Sequence, residues 1–147
     1  MVSLRKLYHF SWAERWFLLK ALAVVTVVRL GLLLLPFRMV KRMATRGIEK
    51  AAGRRRPDVD VETYQARVVW AVRAVARRTL GMRPCLVQAL ATQWFLGRVG
   101  CETELCIGVV KGDAEALKAH AWLEREGNVI IGGRSSQFRY TPMQPVK

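Results

Sequence analysis

One long apolar stretch constrains the fold of this chain more than any other feature. Residues 16–37 read WFLLKALAVVTVVRLGLLLLPF, and only Lys20 and Arg29 are charged among these 22 residues. A membrane-spanning helix needs about 20 predominantly apolar residues, and a charge near its centre costs roughly 2.5–3.5 kcal/mol. The position of Arg29 therefore argues against a spanning helix. The basic run that follows the stretch argues against a cleaved signal peptide.

Three environments stay open for this hydrophobic helix. It can pack on its own domain, bind a partner protein, or lie on an anionic lipid surface. The lipid interpretation rests on charge. Residues 1–56 hold 13 of the 25 Lys and Arg residues of the chain but only 2 of its 11 acidic residues. Each basic side chain near anionic lipid contributes about 1 kcal/mol. We predict a cytoplasmic protein. Because of this segment, peripheral association with a membrane stays open as an alternative to a freely diffusing protein.

The densest basic cluster is Arg54–Arg56, which lies between Gly53 and Pro57. Clustered Lys and Arg side chains bind nucleic-acid phosphates, but no nucleic-acid-binding motif accompanies this cluster, so we predict no nucleic-acid partner. The same glycine, arginine and proline residues are typical of a boundary. We therefore predict a hydrophobic and basic helical N-terminal segment over residues 1–56 and a second unit over residues 57–147.

The pattern of residues 57–147 predicts two helices followed by an antiparallel sheet. Asp60 is a suitable N-cap for the first helix, and Gly81 ends it. The predicted elements are a helix over 61–80, a second helix that begins at 85 and ends between Gly97 and Gly100, and strands over 101–110, 119–125 and 128–133. Helices followed by such a meander make an α+β domain. With a two-residue turn at Glu126-Gly127, an unbroken register pairs Arg125 with Asn128 and places Gly133 opposite His120.

The chain has three cysteines, Cys85, Cys101 and Cys106, so any disulfide leaves one cysteine unpaired. No secretory signal precedes them. We therefore expect a reducing compartment and no disulfide scaffold. No CxxC or His-rich spacing suggests zinc, and we predict no metal and no cofactor. Cys85 follows Pro84 at the start of a predicted helix, where the partial positive charge of the helix N-terminus favours a thiolate.

His120 lies 35 positions after Cys85, on a predicted strand. Thiol hydrolases combine such residues, since the histidine ionises the thiol and later protonates the leaving amine. From composition alone, a buried cysteine and a hydrogen-bonded core histidine are the more frequent interpretation.

Three stretches together carry a resemblance to a known family. They are RPCLVQALATQWFLGRVG, ELCIGVV and AHAWLEREGNVIIGG, within about residues 57–143. They resemble the stand-alone protease of lasso peptide biosynthesis, a family with a papain/transglutaminase-like fold. The resemblance implies a leader peptidase that cuts a ribosomally made precursor peptide. It also implies that Cys85 is the nucleophile and His120 the base.

The third catalytic position departs from that family. Transglutaminase-like sites usually orient the imidazole with an Asp on the strand after the His, whereas this chain has Gly132-Gly133 there and no later Asp. The candidates to orient His120 are Glu124, on the same strand face, then Ser135 or Gln137, or a backbone carbonyl. A neutral orienter can support a Cys–His pair, as Asn does in papain-like enzymes.

The resemblance also implies partners. Residues 57–147 make up 91 positions, and the protease resemblance occupies nearly all of them. We therefore expect a separate, winged-helix-like leader-binding protein, besides the precursor peptide and the lasso cyclase that acts on the product. Two alternatives stay open: a non-catalytic, membrane-peripheral basic scaffold of a biosynthetic complex, and an acyl-transfer enzyme that uses the same Cys–His pair.

Overall fold

The computed structural model describes residues 11–52, 58–79, 85–111, 117–132 and 141–143. The helices are α1 (Trp12–Leu34), α2 (Phe37–Ala52), α3 (Val61–Thr79) and α4 (Cys85–Gly97). The strands are β1 (Glu104–Lys111), β2 (Leu117–Arg125), β3 (Asn128–Ile131) and β4 (Thr141–Met143). The predicted α+β class is confirmed.

Local sequence signals fix both ends of α1. Ser11 and Glu14 form a capping box, in which the Glu14 carboxylate accepts from Ser11 N at 2.8 Å and Ser11 Oγ accepts from Glu14 N at 3.4 Å. The helix ends before Pro36, which forces Leu35 into an extended conformation. The predicted helical segment is therefore two helices, because α2 begins directly after this proline.

Helix α1 satisfies the length and apolarity of a membrane-spanning helix, and one of its faces is buried in the protein. Ala21 and Val25 are fully or almost fully buried and share one hydrophobic core with residues of α3 and α4. The Phe17 ring packs against Phe95 of α4, with centroids 5.6 Å apart. The core thus extends across the boundary predicted near residue 56. Residues 53–57 lie outside the described residues, so that boundary stays a prediction.

Asp60 caps α3 as the sequence predicts. Its carboxylate accepts hydrogen bonds from the hydroxyl of Thr63 and the backbone N–H of Glu62. These bonds, led by that of Thr63, hold the pKa of Asp60 below its usual value. Helix α3 then buries small side chains at helical spacing, which are Val68, Ala71, Val72, Val75 and Ala76.

The four strands form one antiparallel sheet in the order β3-β2-β1-β4. The meander from β1 to β3 is as predicted, whereas β4, on the other edge of β1, was not predicted. The turn between β2 and β3 has positive φ at Glu126 (53°) and Gly127 (77°). Such a turn matches the twist of a hairpin.

The register of this hairpin corrects the sequence-based expectation. Arg125 pairs with Asn128 as expected, but a bulge between Leu123 and Glu124 shifts the pairing, so that Leu123 pairs with Ile131. The unbroken register that placed Gly133 opposite His120 is therefore wrong, because a bulge inserts one unpaired residue. Gly133 itself lies outside the described residues.

The two faces of the sheet have different surroundings. Leu105, Leu123 and Ile131 belong to the core that the helices share. Since side chains alternate along a strand, His120 and Trp122 of β2 point to the opposite side from Leu123. The residue of β1 that pairs with His120 is Gly108, which has no side chain.

Candidate active site

Cys85 is the first residue of α4, as the sequence predicts. The helix after it is almost wholly apolar and buries Ala89, Leu90, Phe95 and Leu96, which fixes its axis against the rest of the core. Cys85 is half-buried. Its thiol thus lies at the positive end of the helix dipole, which attracts negative charge.

The thiol of Cys85 contacts strand β2 beside His120. Ala121 N donates a hydrogen bond to Cys85 Sγ at 3.4 Å. Because this nitrogen is bonded to the carbonyl carbon of His120, the sulfur lies next to the main chain of His120. An N–H that points at the sulfur stabilises negative charge on it. The structure therefore places the Cys85 thiol next to the main chain of His120.

The imidazole of His120 is held by a backbone group. Its Nε2 lies 2.6 Å from the carbonyl oxygen of Gly132, at the end of β3. A carbonyl oxygen only accepts hydrogen bonds, so Nε2 carries the proton in this arrangement and donates it. The other ring nitrogen, Nδ1, is then the basic one and can take a proton from a thiol.

Gly132 is at a position that requires glycine. Its φ is +112°, which L side chains rarely adopt. A Cβ there would lie 2.5 Å from Trp122 Cβ and 2.9 Å from the carbonyl oxygen of Ala121. The absence of a side chain thus lets the chain pass closely over β2, which brings the Gly132 carbonyl to His120.

Trp122 lies beside the imidazole. The rings of Trp122 and His120 are nearly parallel, with centroids 6.3 Å apart, and Trp122 is only 3% exposed. Its Nε1 donates to Glu124 Oε1 at 2.6 Å. Glu124, the predicted orienter of His120, therefore holds the indole that lies next to the imidazole. A direct role of Glu124 on the His120 ring stays a prediction.

The other orienters named from the sequence, Ser135 and Gln137, lie outside the described residues. A backbone carbonyl is among the orienters that the sequence leaves open, without an identified residue. The signal was present in Gly132-Gly133, since paired glycines at a strand end permit close backbone approach. The sequence does not indicate that Ala121 donates to the thiol, because a backbone donor is not visible in the residue type.

The other two cysteines lie in environments that oppose ionisation. Burial raises the pKa of Cys101, and burial, with Glu124 and Glu104 nearby, raises the pKa of Cys106 to about 11. Cys101 precedes β1 and does not lie on the strand, which corrects the predicted strand start. All three thiols are free. Cys85 differs from the other two in its place at a helix N-terminus.

An acidic depression lies at the turn end of the hairpin, away from Cys85 and His120. It has a volume of about 260 Å³, and its carboxylates come from Glu102, Glu104, Glu124 and Glu126. Among the described residues, no three His, Cys, Asp or Glu side chains are grouped so that they could hold a metal ion.

A half-buried thiol at a helix N-terminus thus lies next to the main chain of a histidine on an antiparallel sheet. The family model of the transglutaminase-like superfamily matches residues 22–145, and the chain belongs to this superfamily. Its members commonly have cysteine-based peptidase or acyltransferase activity. The match includes most of α1 and all of α2. No curated protein and no solved structure matches the chain significantly.

We predict that Cys85 is the cysteine that iodoacetamide alkylates first in the folded protein near neutral pH. Cys101 is buried, and a pKa of about 11 leaves Cys106 with only a trace of thiolate. Peptide mass spectrometry over a time course measures the order of labelling. Faster labelling of Cys101 or Cys106 would contradict the assignment of the nucleophile.

We also predict that Gly132→Ala lowers kcat at least tenfold, with a smaller effect on KM. The new Cβ would displace the carbonyl that holds His120 Nε2. The matched control is Gly127→Ala, because Gly127 also has positive φ but a Cβ added there would meet nothing within 4 Å. Steady-state kinetics and the pH dependence of Cys85 alkylation distinguish a shifted imidazole from general destabilisation.

The same assay separates Gly132 from Glu124 as the orienter. A Gln at position 124 retains an oxygen that can accept from Trp122 Nε1, so Glu124→Gln keeps most of the activity if Glu124 acts through the indole. A tenfold loss in Glu124→Gln together with full activity in Gly132→Ala would refute the assignment to Gly132.

Proposed function

We propose that this protein is a cysteine peptidase that removes the leader from a lasso precursor peptide. The observation that carries the proposal is the contact of Cys85 Sγ with the backbone of β2 next to His120, whose Nε2 donates to the Gly132 carbonyl. The superfamily match supports cysteine chemistry. The likeness of the three stretches around Cys85 and His120 to lasso proteases supports the choice of substrate.

In the proposed reaction His120 Nδ1 takes the thiol proton, and the Cys85 thiolate attacks the carbonyl carbon of the scissile peptide bond. The oxyanion forms close to the N-terminus of α4, where the backbone N–H of Cys85 is one donor to it. The imidazolium then protonates the leaving amine, and a thioester remains on Cys85. Water, deprotonated by His120, hydrolyses the thioester and regenerates the thiol.

In this mechanism the Gly132 carbonyl takes the place of the usual Asp. Its role is to fix the ring orientation and to keep the proton on Nε2, which leaves Nδ1 basic. A neutral acceptor can do this, as Asn does in papain-like enzymes. Glu124 contributes through Trp122, whose ring lies beside the imidazole.

The proposed partners are the precursor peptide, a separate leader-binding protein and the lasso cyclase. A short extended peptide binds weakly by itself, since association costs several kcal/mol of lost freedom. A leader-binding protein supplies the precursor at an effective concentration on the order of millimolar. The cyclase then acts on the new N-terminus that the peptidase releases.

We predict that purified protein with its leader-binding protein cleaves the precursor, and that Cys85→Ala and His120→Ala abolish cleavage without unfolding the chain. Mass spectrometry of the products is the measurement, because hydrolysis adds one water and acyl transfer to an amine does not. A product lacking that water would favour the acyltransferase alternative. Unchanged processing in Cys85→Ala would favour the non-catalytic scaffold.

We further predict that the leader-binding protein raises the cleavage rate roughly tenfold or more, within the gain that tethering gives. The comparison uses micromolar precursor, with and without the added protein. The control is a precursor with a scrambled leader that keeps the residues flanking the scissile bond. Efficient cleavage by this chain alone would contradict the need for a partner.

A further inference from the structure

Helix α1 has a second apolar face that no described part of the protein covers. The side chains on this face are at least half exposed. Successive members lie three, four or eight residues apart, which places them on one side of the helix. We call them the outer stripe: Trp12, Trp16, Leu19, Val27, Leu30 and Leu34. At 1.5 Å per residue, the outer stripe is about 33 Å long.

The opposite face of α1 is packed along its length, which decides how the helix can meet a membrane. Arg67 of α3 donates to the Ala13 carbonyl near one end of α1, and Arg29 donates to the Thr79 carbonyl of α3 towards the other end. The two helices therefore run side by side in the same direction. A spanning α1 would carry α3 into the bilayer.

Helix α3 is unsuited to hydrocarbon. It exposes Arg73, Arg77 and Arg78, and charged side chains at the centre of a bilayer are strongly unfavourable. A bilayer can therefore cover α1 only from the side of the outer stripe, with the helix parallel to the membrane plane.

The charges next to the outer stripe are positive. Lys20, adjacent to Leu19, is exposed at the border of the stripe. Helix α2, after the break at Pro36, exposes a row of cations at intervals of four residues, which comprises Arg38, Arg42, Arg46 and Lys50. We call these the cation row. This charge matches anionic headgroups, whereas the apolar stripe matches acyl chains.

The composition of the outer stripe favours lipid over a protein partner. A protein–protein interface typically carries about ten hydrogen bonds, whereas the uncharged polar groups exposed on this side of α1 are the two indole N–H groups at the Trp12 end and the hydroxyl of Thr26. Tryptophan is a residue type suited to the boundary between hydrocarbon and headgroups.

We propose that α1 and α2 form a membrane-docking surface that binds anionic phospholipid in the plane of the bilayer. The outer stripe inserts beneath the headgroups, and the cation row binds their phosphates. This surface is independent of the peptidase chemistry, since none of its residues belongs to the candidate site.

The test is co-sedimentation of the full chain with vesicles of phosphatidylcholine alone or mixed with phosphatidylglycerol. We expect binding to the mixed vesicles, and a partition coefficient at least tenfold lower for Val27→Glu/Leu30→Glu. The control Ala66→Glu adds one carboxylate at an exposed position of α3 and is compared with Val27→Glu alone, which adds the same charge. Arg42→Ala/Arg46→Ala should lower binding roughly tenfold, against an unchanged Arg73→Ala control.

Circular dichroism confirms that each variant is folded, and cleavage of soluble precursor without vesicles checks the site separately. Equal binding of the stripe variant and the control would overturn the proposal, as would equal binding to neutral vesicles. Protein that stays with the membrane after alkaline extraction would indicate a spanning helix and also overturn it. The proposal would also be overturned if the stripe variants bound vesicles normally but were no longer stimulated by the leader-binding protein. The surface would then be a protein interface.

Discussion

The packing of the N-terminus of α4 against the middle of β2 is the contact on which the rest of the structure depends. It puts Cys85 Sγ 3.4 Å from Ala121 N, and it requires that α4 be held in place against the sheet. The apolar surface of α4 provides that constraint, because α1, α2 and α3 all pack around it. The N-terminal helices therefore contribute to the site without supplying a catalytic group. The superfamily match, from residue 22 onward, includes residues of all four of these helices.

Because the acceptor is a backbone carbonyl, the orientation of the His120 imidazole is maintained in a different way from that in a site with an Asp. An Asp side chain holds a histidine through its charge and its rotamer, whereas the Gly132 carbonyl is held by the path of the chain over β2. That path depends on the bulge between Leu123 and Glu124, which shifts Gly132 to lie beside Trp122. Orientation is thus provided by packing. The electrostatic stabilisation of an imidazolium is correspondingly weaker, since a carbonyl dipole replaces a full negative charge.

The sequence predicts the parts of this structure that have a local signal. Cys85 at a helix start, Asp60 as a cap and the Glu126-Gly127 turn all follow from short-range patterns. The bulge does not, because Val129, Ile130 and Ile131 are all apolar and a change of phase leaves no sign in the sequence. Strand β4 does not either, since three residues carry no usable periodicity and pair only because the β1 edge is present. The break at Pro36 was visible in the sequence and was missed because the apolar stretch runs through it.

The two apolar faces of α1 explain why periodicity could not assign its environment. Ala21 and Leu19 both count as apolar in a periodicity analysis, yet Ala21 is fully buried and Leu19 is 54% exposed. Only the positions of α3 and α4 distinguish the face of α1 that packs from the face that does not. If lipid covers the outer stripe, the same helix is bound to the membrane on one side and to the core around α4 on the other. The orientation of the Cys85 site to the bilayer would then be fixed by rigid packing, and a membrane-bound enzyme would present one constant face to its soluble partners.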